Sequence, residues 1–178
     1  MKQNNHLHVW GFDLSHVAID LMKKDERFIE AAARNRARAA VWDITEIPCP
    51  LIDSNDPKAN GALLLFCLSA ITPEKQSIAV KHVIDTLRPG GFLFFRDYGR
   101  FDEAQMKLGT SRGKKLAENF YVKQDCTRCY YFDLDDCRRL FFDLEEIELH
   151  YIRREYSNRG DKTKRKRVWV HAKFRKPL

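Results

Sequence analysis

The chain has 178 residues, of which 44% are hydrophobic, and it carries a formal net charge of +7. These values fit one folded domain over residues 1–178 and exclude the disordered and membrane-spanning classes. No apolar run approaches the roughly 18 residues that a transmembrane helix needs, and the polar start MKQNNHLHV lacks a signal-peptide core. The charge favours a polyanionic partner, with nucleic acid ahead of an anionic membrane surface. A basic protein without such a partner is the plain alternative.

Five cysteines without secretory context indicate reduced thiols in a cytosolic compartment. The cytoplasm is therefore the expected location, with the nucleus or mitochondrion left open. Cys126 and Cys129 form a lone C-x-x-C. A zinc site needs four ligands, and no second pair stands at suitable spacing. The sequence therefore predicts no metal site.

In the first third of the chain, the hydrophobic pattern predicts a strand, two helical stretches and a second strand. The first strand, residues 6–12, ends at Asp13, and Ser15 is suited to cap the helix that follows. Residues 25–38 continue as a helix or connecting turn. The second strand, residues 38–42, ends at Asp43.

The rest of the chain continues the alternation of strands and helices. The predicted elements are a fully buried strand over 61–68, a helix over 73–87, a tight turn at 89–91, a strand over 92–98, a mixed basic segment over 100–129, a helix over 133–142 capped by Asp133, and strands over 147–156 and 168–174. The helix over 73–87 has an apolar stripe of Ile78, Val80, Val83, Ile84 and Leu87.

This alternation predicts an α/β fold with a doubly wound, mostly parallel sheet. The last two strands are too close in sequence for a crossover helix, so we expect an antiparallel hairpin at one edge. In such sheets, ligands bind at the carboxyl ends of the strands.

The stretch FLFFRDYG predicts where that site lies. Its four apolar residues do not alternate with polar ones, so the strand is expected to be covered on both faces. It then ends in Arg96, Asp97 and Tyr98. We therefore expect these three residues at the ligand-binding edge of the sheet.

Two aspartates at the ends of successive strands suggest a nucleotide site. The carboxylate of Asp13 can accept hydrogen bonds from both hydroxyls of a ribose. Asp43 can accept from an adenine amino group, and Ile44 can pack on the ring. The alternative for both aspartates is a helix cap or a surface turn.

Aromatic residues near basic ones suggest RNA contacts within residues 100–130, which we expect to form an RNA-facing insertion. The candidates are Asn119, Tyr121 and Arg128, with Lys164 and Arg165 in the basic loop 157–167. The alternatives are core packing for the aromatic residues and a solvated hairpin loop for the basic run.

Several segments together resemble the tRNA N3-methylcytidine methyltransferases. In chain order they are FDLS from Phe12, LFCLSA from Leu65, LRPGG from Leu87, FRDYG from Phe95, ENFYV from Glu118, Asp125 with Thr127-Arg128, RVW from Arg167, Lys173-Phe174 and Lys176-Pro177. They cover almost the whole chain, and the run from RDYG to NFYV is specific.

This resemblance implies a Rossmann-like class I methyltransferase fold, S-adenosyl-L-methionine as cofactor and a cytidine in a tRNA anticodon loop as substrate. It implies that Asp13 binds the cofactor ribose, that Asp43 and Ile44 bind its adenine, and that Leu65 lines its pocket. Arg96, Asp97 and Tyr98 would then lie near the methyl group and the flipped base. Some members work with a partner such as seryl-tRNA synthetase.

The family's first strand and glycine-rich turn would precede Phe12, so we expect an N-terminally incomplete methyltransferase domain. The alternative is a noncatalytic RNA- or partner-binding fragment or paralogue.

The chemistry needs few residues, because cytosine N3 carries a lone pair and is neutral near pH 7. The enzyme mainly unstacks and aligns the base. Arg96 can donate to the cytosine O2. Asp97 can accept from the amino group or hold Arg96.

Overall fold

The computed structural model describes residues 6–51, 58–157 and 164–178. Its contacts divide the chain into two compact units, residues 1–56 and residues 57–178. The single domain over 1–178 stays a prediction. Within the described ranges, no helix is both long and apolar enough to cross a bilayer.

The first unit contains β1 (Val9–Asp13), α1 (His16–Lys24), α2 (Glu26–Ala33) and β2 (Ala37–Val41). The two strands pair in parallel, as predicted. Ser15 caps α1 as expected, since its Oγ accepts from the Ala18 amide at 3.3 Å. The second helix ends before residue 38 because Asn35 turns the chain with a φ of 55°.

The second unit contains β3 (Ala59–Leu65), a 3-10 turn (Leu68–Ala70), α3 (Pro73–Asp85), β4 (Leu87–Tyr98), α4 (Glu103–Thr110), β5 (Lys115–Ala117), β6 (Phe120–Val122), β7 (Arg128–Tyr130), α5 (Leu134–Leu140), β8 (Glu145–Ser157) and β9 (Lys164–Arg175). Asp133 caps α5 in a capping box with Asp136, which confirms the predicted cap.

A four-stranded sheet of order β3-β4-β9-β8 forms the centre of this unit. The pair β3–β4 is parallel, and β9 runs antiparallel to both β4 and β8. The predicted C-terminal hairpin is therefore confirmed, and both of its strands extend beyond the predicted bounds. The α/β class is also confirmed.

The core lies on one face of this sheet. Along β4 the buried residues alternate, with Leu93, Phe95 and Asp97 on the core face. The rings of Phe95 and Phe141 lie 5.1 Å apart, centre to centre. Phe92, Phe94, Arg96 and Tyr98 point to the opposite face and are only half-buried. The strand was predicted to be covered on both faces, and the structure shows one fully buried face and one half-buried face.

Strand β3 was expected to be fully buried, and this prediction is wrong. Leu64 is 5% exposed, whereas Leu63 and Leu65 are 72% and 51% exposed. The reason is that β3 lies at an edge of the four-stranded sheet, with Leu63 and Leu65 on its half-covered face. Ile78 of the predicted apolar stripe of α3 is exposed as well, while Val80, Val83, Ile84 and Leu87 are buried.

The Pro89-Gly90-Gly91 segment forms the irregular start of β4 where a separate turn was predicted. Gly90 has a φ of +73°, which favours glycine. A Cβ atom on Gly91 would lie 2.9 Å from the Arg88 carbonyl oxygen and 3.2 Å from that of Ala59. The two glycines therefore let β4 begin against β3 despite a register shift between Ala59 and Gly61.

Residues 100–130, predicted only as a mixed basic segment, contain α4 and a three-stranded antiparallel sheet of β5, β6 and β7. Tyr121, Cys129 and Tyr131 form a small core there, against which Tyr98 packs. Directly after the end of β4, Gly99 forms an isolated parallel β-bridge with Phe132.

Candidate functional site

The carboxyl ends of β3 and β4 lie side by side, with Leu65 paired to Arg96. Directly after β3, Phe66 adopts a φ of 52°, and its amide donates to the Arg96 carbonyl at 2.8 Å. This turn directs the Phe66 ring toward two others. It lies 5.3 Å from Tyr98 and 5.9 Å from Trp169, centre to centre.

These rings form part of an open pocket of about 370 Å³. Its lining residues are Phe66, Tyr98, Tyr156, Arg165, Arg167 and Trp169. The register of the sheet explains the grouping, because Tyr98 pairs with Trp169 across β4 and β9, and Tyr156 pairs with Arg165 across β8 and β9. The pocket therefore combines flat aromatic surfaces with two guanidinium groups.

Two cationic side chains lie close to the Tyr98 ring. The guanidinium carbon of Arg167 is 5.4 Å from the ring centre, and Lys123 Nζ is 5.2 Å from it. Arg167 Nε also donates to Asp102 Oδ2 at 2.9 Å. An aromatic ring beside fixed positive charge suits a nucleobase with its phosphate.

Arg96 lies two residues before Tyr98 and so projects from the same face of β4. One of its terminal nitrogens lies 3.1 Å from His171 Nδ1. Because arginine only donates, this contact requires an unprotonated Nδ1 on His171. Burial and then the Arg96 charge lower the pKa of His171. The Nε of Arg96 is buried and has no hydrogen-bond partner among the described residues, so one donor of this side chain is left unsatisfied.

Asp97 projects from the opposite face of β4 and is fully buried. Its Oδ2 accepts from the Ser69 amide and its Oδ1 from the Tyr98 amide, both at 2.9 Å. Burial raises its pKa to about 6, against these hydrogen bonds. The strand alternation therefore separates Asp97 from Arg96 and Tyr98, which the sequence analysis grouped together. In this structure Asp97 holds the 3-10 turn through the Ser69 amide, and its predicted role near the methyl group and the base stays a prediction.

In the first unit, Asp13 and Asp43 follow the two parallel strands at the same edge. The Trp42 amide donates to the Asp13 carbonyl at 3.0 Å. Asp13 Oδ1 accepts from the Ser15 amide at 2.8 Å, and Asp43 Oδ1 accepts from the Thr45 amide at 2.9 Å. These hydrogen bonds form local turns, which were the alternative to a nucleotide site for the two aspartates. A cofactor role for Asp13, Asp43 and the adjacent Ile44 stays a prediction.

The RNA candidates occupy different environments. Asn119 and Tyr121 are buried, with 9% and 7% of their surface exposed. Asn119 Oδ1 accepts from Gln105 Nε2 at 3.2 Å, and the Tyr121 ring packs 5.8 Å from that of Tyr131. Both therefore fit the alternative of core packing, because β6 is the central strand of its small sheet.

The basic candidates are more accessible. Arg128 is exposed on β7, Lys164 forms an ion pair with Glu155 at 2.9 Å, and Arg165 lines the pocket. Most of the basic loop, residues 158–163, lies outside the described residues.

Four further residues line the pocket and a fifth contacts Arg96, yet sequence patterns alone gave none of them a role: Phe66, Tyr156, Arg167 and Trp169, and His171. Phe66, Arg167 and Trp169 stand in segments quoted for the resemblance, but no role was given to them. The missing information is the antiparallel register that brings β8 and β9 beside the end of β4.

The described residues contain no group of three or more histidine, cysteine or acidic side chains that could hold a metal ion. Cys126 is exposed and Cys129 is buried, so this pair does not present two thiols to one site.

Comparison with solved structures defines the class of fold. A SAM-dependent methyltransferase from Methanosarcina mazei aligns with a TM-score of 0.65 at 19% identity, over 96% of this chain and 82% of that one. One from Anabaena variabilis aligns with a TM-score of 0.67 at 16% identity, over 95% and 68%. The chain therefore has the fold of SAM-dependent methyltransferases, as predicted.

Curated relatives define the chain more closely. It is 38% identical over 186 aligned positions to the tRNA N(3)-cytidine methyltransferase METTL2 of Danio rerio, covering all of this chain and 50% of the relative. It is 34% identical to METTL6 of Rattus norvegicus, covering 99% and 60%. It is also 34% identical to O-methyltransferase 3 of Dictyostelium discoideum, covering 100% and 40%.

No family model matches the chain. The chain spans about half the length of the curated relatives it matches. Over its whole length it is a homologue of the tRNA N3-cytidine methyltransferases, which confirms the predicted resemblance.

Proposed function

We propose that this chain takes part in S-adenosyl-L-methionine-dependent methylation of N3 of a cytidine in a tRNA anticodon loop. The observation that carries the proposal is the pocket of aromatic and arginine side chains at the carboxyl end of β4. Homology with tRNA N3-cytidine methyltransferases supports the choice of substrate. The net charge of +7 is consistent with a polyanionic partner.

The residues expected to hold the cofactor have suitable chemistry. Two carboxylates, Asp13 and Asp43, stand at the same edge of neighbouring parallel strands, where a ribose diol and an adenine amino group can donate to them. In the second unit, Leu65 offers an exposed apolar side chain at the end of β3. When bound, S-adenosylmethionine supplies a methyl group on a sulfonium, which is already an activated leaving group.

The pocket suits a nucleophile that needs no deprotonation. The N3 lone pair of cytosine would accept the methyl group that the bound sulfonium supplies, with neutral S-adenosylhomocysteine as the leaving group. The positive charge would pass to the base, so no residue of this chain would need to move a proton. The aromatic walls can hold the base by stacking, worth roughly 1–3 kcal/mol per base. Arg96 can donate to the cytosine O2 without blocking N3.

A second candidate function is methylation of a hydroxyl, which the name of the relative O-methyltransferase 3 suggests. Methylation of a hydroxyl generally calls for a base to remove its proton. The residues lining the pocket include no carboxylate or imidazole among the described residues. The pocket therefore favours a nitrogen with a lone pair over a hydroxyl.

The first test is calorimetric binding of S-adenosylhomocysteine to the 178-residue chain, followed by methyl transfer to an anticodon stem-loop RNA. Product nucleosides are identified by mass spectrometry, with the full-length Danio rerio relative as positive control and an RNA with uridine at the target position as negative control. We expect 3-methylcytidine, and its loss in Trp169→Ala.

The other outcomes separate the alternatives. RNA binding without methyl transfer would support the noncatalytic RNA-binding fragment or paralogue and contradict the proposal. Methylation of a hydroxyl substrate would support the second candidate.

We also infer that tRNA is the macromolecular partner and that the protein acts in the cytoplasm. The resemblance adds seryl-tRNA synthetase as a candidate partner. Adding that synthetase to the methylation assay is expected to raise the initial rate, with a synthetase of unrelated tRNA specificity as control.

A further inference from the structure

Asp102 joins the start of α4 to β9 through a fully buried carboxylate. Its Oδ1 accepts from the Ala104 amide at 2.8 Å at the start of α4. Its Oδ2 accepts from the Val168 amide of β9 and from Arg167 Nε, both at 2.9 Å. A buried carboxylate needs such partners, and here they fix the side chain of Arg167.

The rest of the Arg167 guanidinium is turned toward the pocket. The side chain is 28% exposed and lies over Tyr98. Only the Nε of Arg167 donates to Asp102, and its terminal nitrogens make no hydrogen bond to residues in the described ranges. Arg165 lines the same pocket two residues earlier on β9. The result is one preorganised donor, Arg167, with a second arginine near it, beside an aromatic surface.

We propose that Arg167 is a phosphate-binding residue that contacts the RNA backbone next to the base held in the pocket. The inference rests on the RNA substrate of the proposed function. A planar guanidinium can donate two parallel hydrogen bonds to phosphate oxygens. Because Asp102 already orders the side chain, little conformational entropy is lost on binding.

A purely structural role for Arg167 gives a different expectation. Neutralising Asp102 requires one positive charge near its carboxylate, and any residue that keeps this pair would serve. Phosphate binding additionally requires the terminal nitrogens and contributes to the salt dependence of RNA affinity.

The test measures affinity for an anticodon stem-loop RNA by fluorescence anisotropy over a series of KCl concentrations. The variants are Arg167→Gln and Arg167→Lys, with Arg88→Gln as matched control, since Arg88 is an exposed arginine at the opposite end of β4. For Arg167→Gln we expect affinity to fall about 10-fold at low salt, with a log–log salt slope smaller by about 1. The Arg88→Gln control is expected to stay within about 2-fold of wild type.

Arg167→Lys keeps the charge beside Asp102 and guards against misfolding of the glutamine variant. We expect it to retain the salt slope and to bind about 3-fold more weakly, because the bidentate contact is lost. Wild-type affinity and slope in both variants would overturn the proposal. If Arg167→Gln does not fold, unchanged affinity in Arg167→Lys would overturn it.

The two proposals fail separately. A reduced slope in Arg167→Gln together with no methyl transfer by wild type supports phosphate binding and contradicts the enzyme. If wild type transfers the methyl group but neither Arg167 variant changes RNA affinity, the enzymatic function is supported and phosphate binding by Arg167 is contradicted.

Discussion

Arg96 and Asp97 show how neighbouring residues on one strand take different tasks. Arg96 projects from the half-covered face of β4, where it contacts His171 and keeps a buried Nε without a partner in the described part of the chain. Asp97 projects into the core and fixes two backbone amides. The second side chain thereby fixes the turn after β3, and the role of the first in ligand binding stays a prediction.

Titration of Asp97 should make stability depend on pH. Its pKa rises from 3.8 to about 6 on burial, so between these values the folded state binds a proton that the unfolded state has released. The free energy of unfolding therefore falls as pH rises through this window, by roughly 3 kcal/mol for a shift of this size. Urea unfolding of wild type and Asp97→Asn at pH 4 and pH 7 should show wild type losing this amount relative to the variant. If the difference in unfolding free energy between wild type and Asp97→Asn is the same at both pH values, the expectation is contradicted.

The contact between Arg96 and His171 leads to a second prediction. Burial is the larger cause of the lowered pKa of His171, and the Arg96 charge is the next. Neutral His171 accepts from Arg96, so this hydrogen bond is present above pH 6.5 and is lost as pH falls through the lowered pKa. In Arg96→Met, NMR titration of the imidazole protons should give a higher pKa that stays below 6.5. The Arg88→Gln variant should leave it unchanged, and no rise in Arg96→Met would show that the two side chains do not interact in solution.

At the scale of elements, the start of β4 depends on the absence of a side chain at Gly91. A Cβ atom there would crowd carbonyl oxygens of Arg88 and Ala59, whereas at Gly61 the nearest atom lies 3.6 Å away. The two glycines belong to neighbouring strands and so form a matched pair. The backbone atoms around Gly91 cannot move aside as a flexible side chain could.

We therefore expect Gly91→Ala to lower the free energy of unfolding by about 1–3 kcal/mol and Gly61→Ala to change it by less than about 0.5 kcal/mol. Chemical denaturation of the two variants checks this. Equal effects would mean that the bulge between β3 and β4 relaxes to accept a side chain.

At the scale of the whole molecule, the burial of the cysteines differs from one part of the chain to another. Cys67 and Cys126 are exposed, whereas Cys129 and Cys137 are buried and form no disulfide. Burial raises the pKa of Cys129 to about 11 and also raises that of Cys137. Both protected thiols therefore lack the reactive thiolate form near neutral pH.

With a thiol reagent at pH 8, we expect Cys67 and Cys126 to react rapidly and Cys129 and Cys137 to react only on unfolding. The reaction is followed by absorbance, and Cys126→Ser should lower the number of rapidly reacting thiols by one per chain. Rapid reaction of Cys129 would show that the small sheet of β5, β6 and β7 opens readily in solution.

Much of this protein could be predicted from the sequence alone. Short-range rules located the Ser15 and Asp133 caps, since a cap depends on residues three or four positions apart. The strand and helix order outside residues 100–130, the C-terminal hairpin and the relationship to tRNA N3-cytidine methyltransferases also followed from patterns along the chain. The role of the end of β4 as a binding site stays a prediction.

Only the tertiary structure decided which side chains meet there. Strand alternation sends Asp97 into the core and Arg96 to the open face, and the antiparallel register brings Trp169 and Arg167 beside Tyr98. Burial of Tyr121 and exposure of Leu63 likewise depend on which strand is central and which is at an edge. The contacts at the end of β4 join residues about 30 to 75 positions apart, whereas Tyr121 is buried by the short neighbouring strands of its own small sheet. Local sequence patterns encode the register of neither set of contacts.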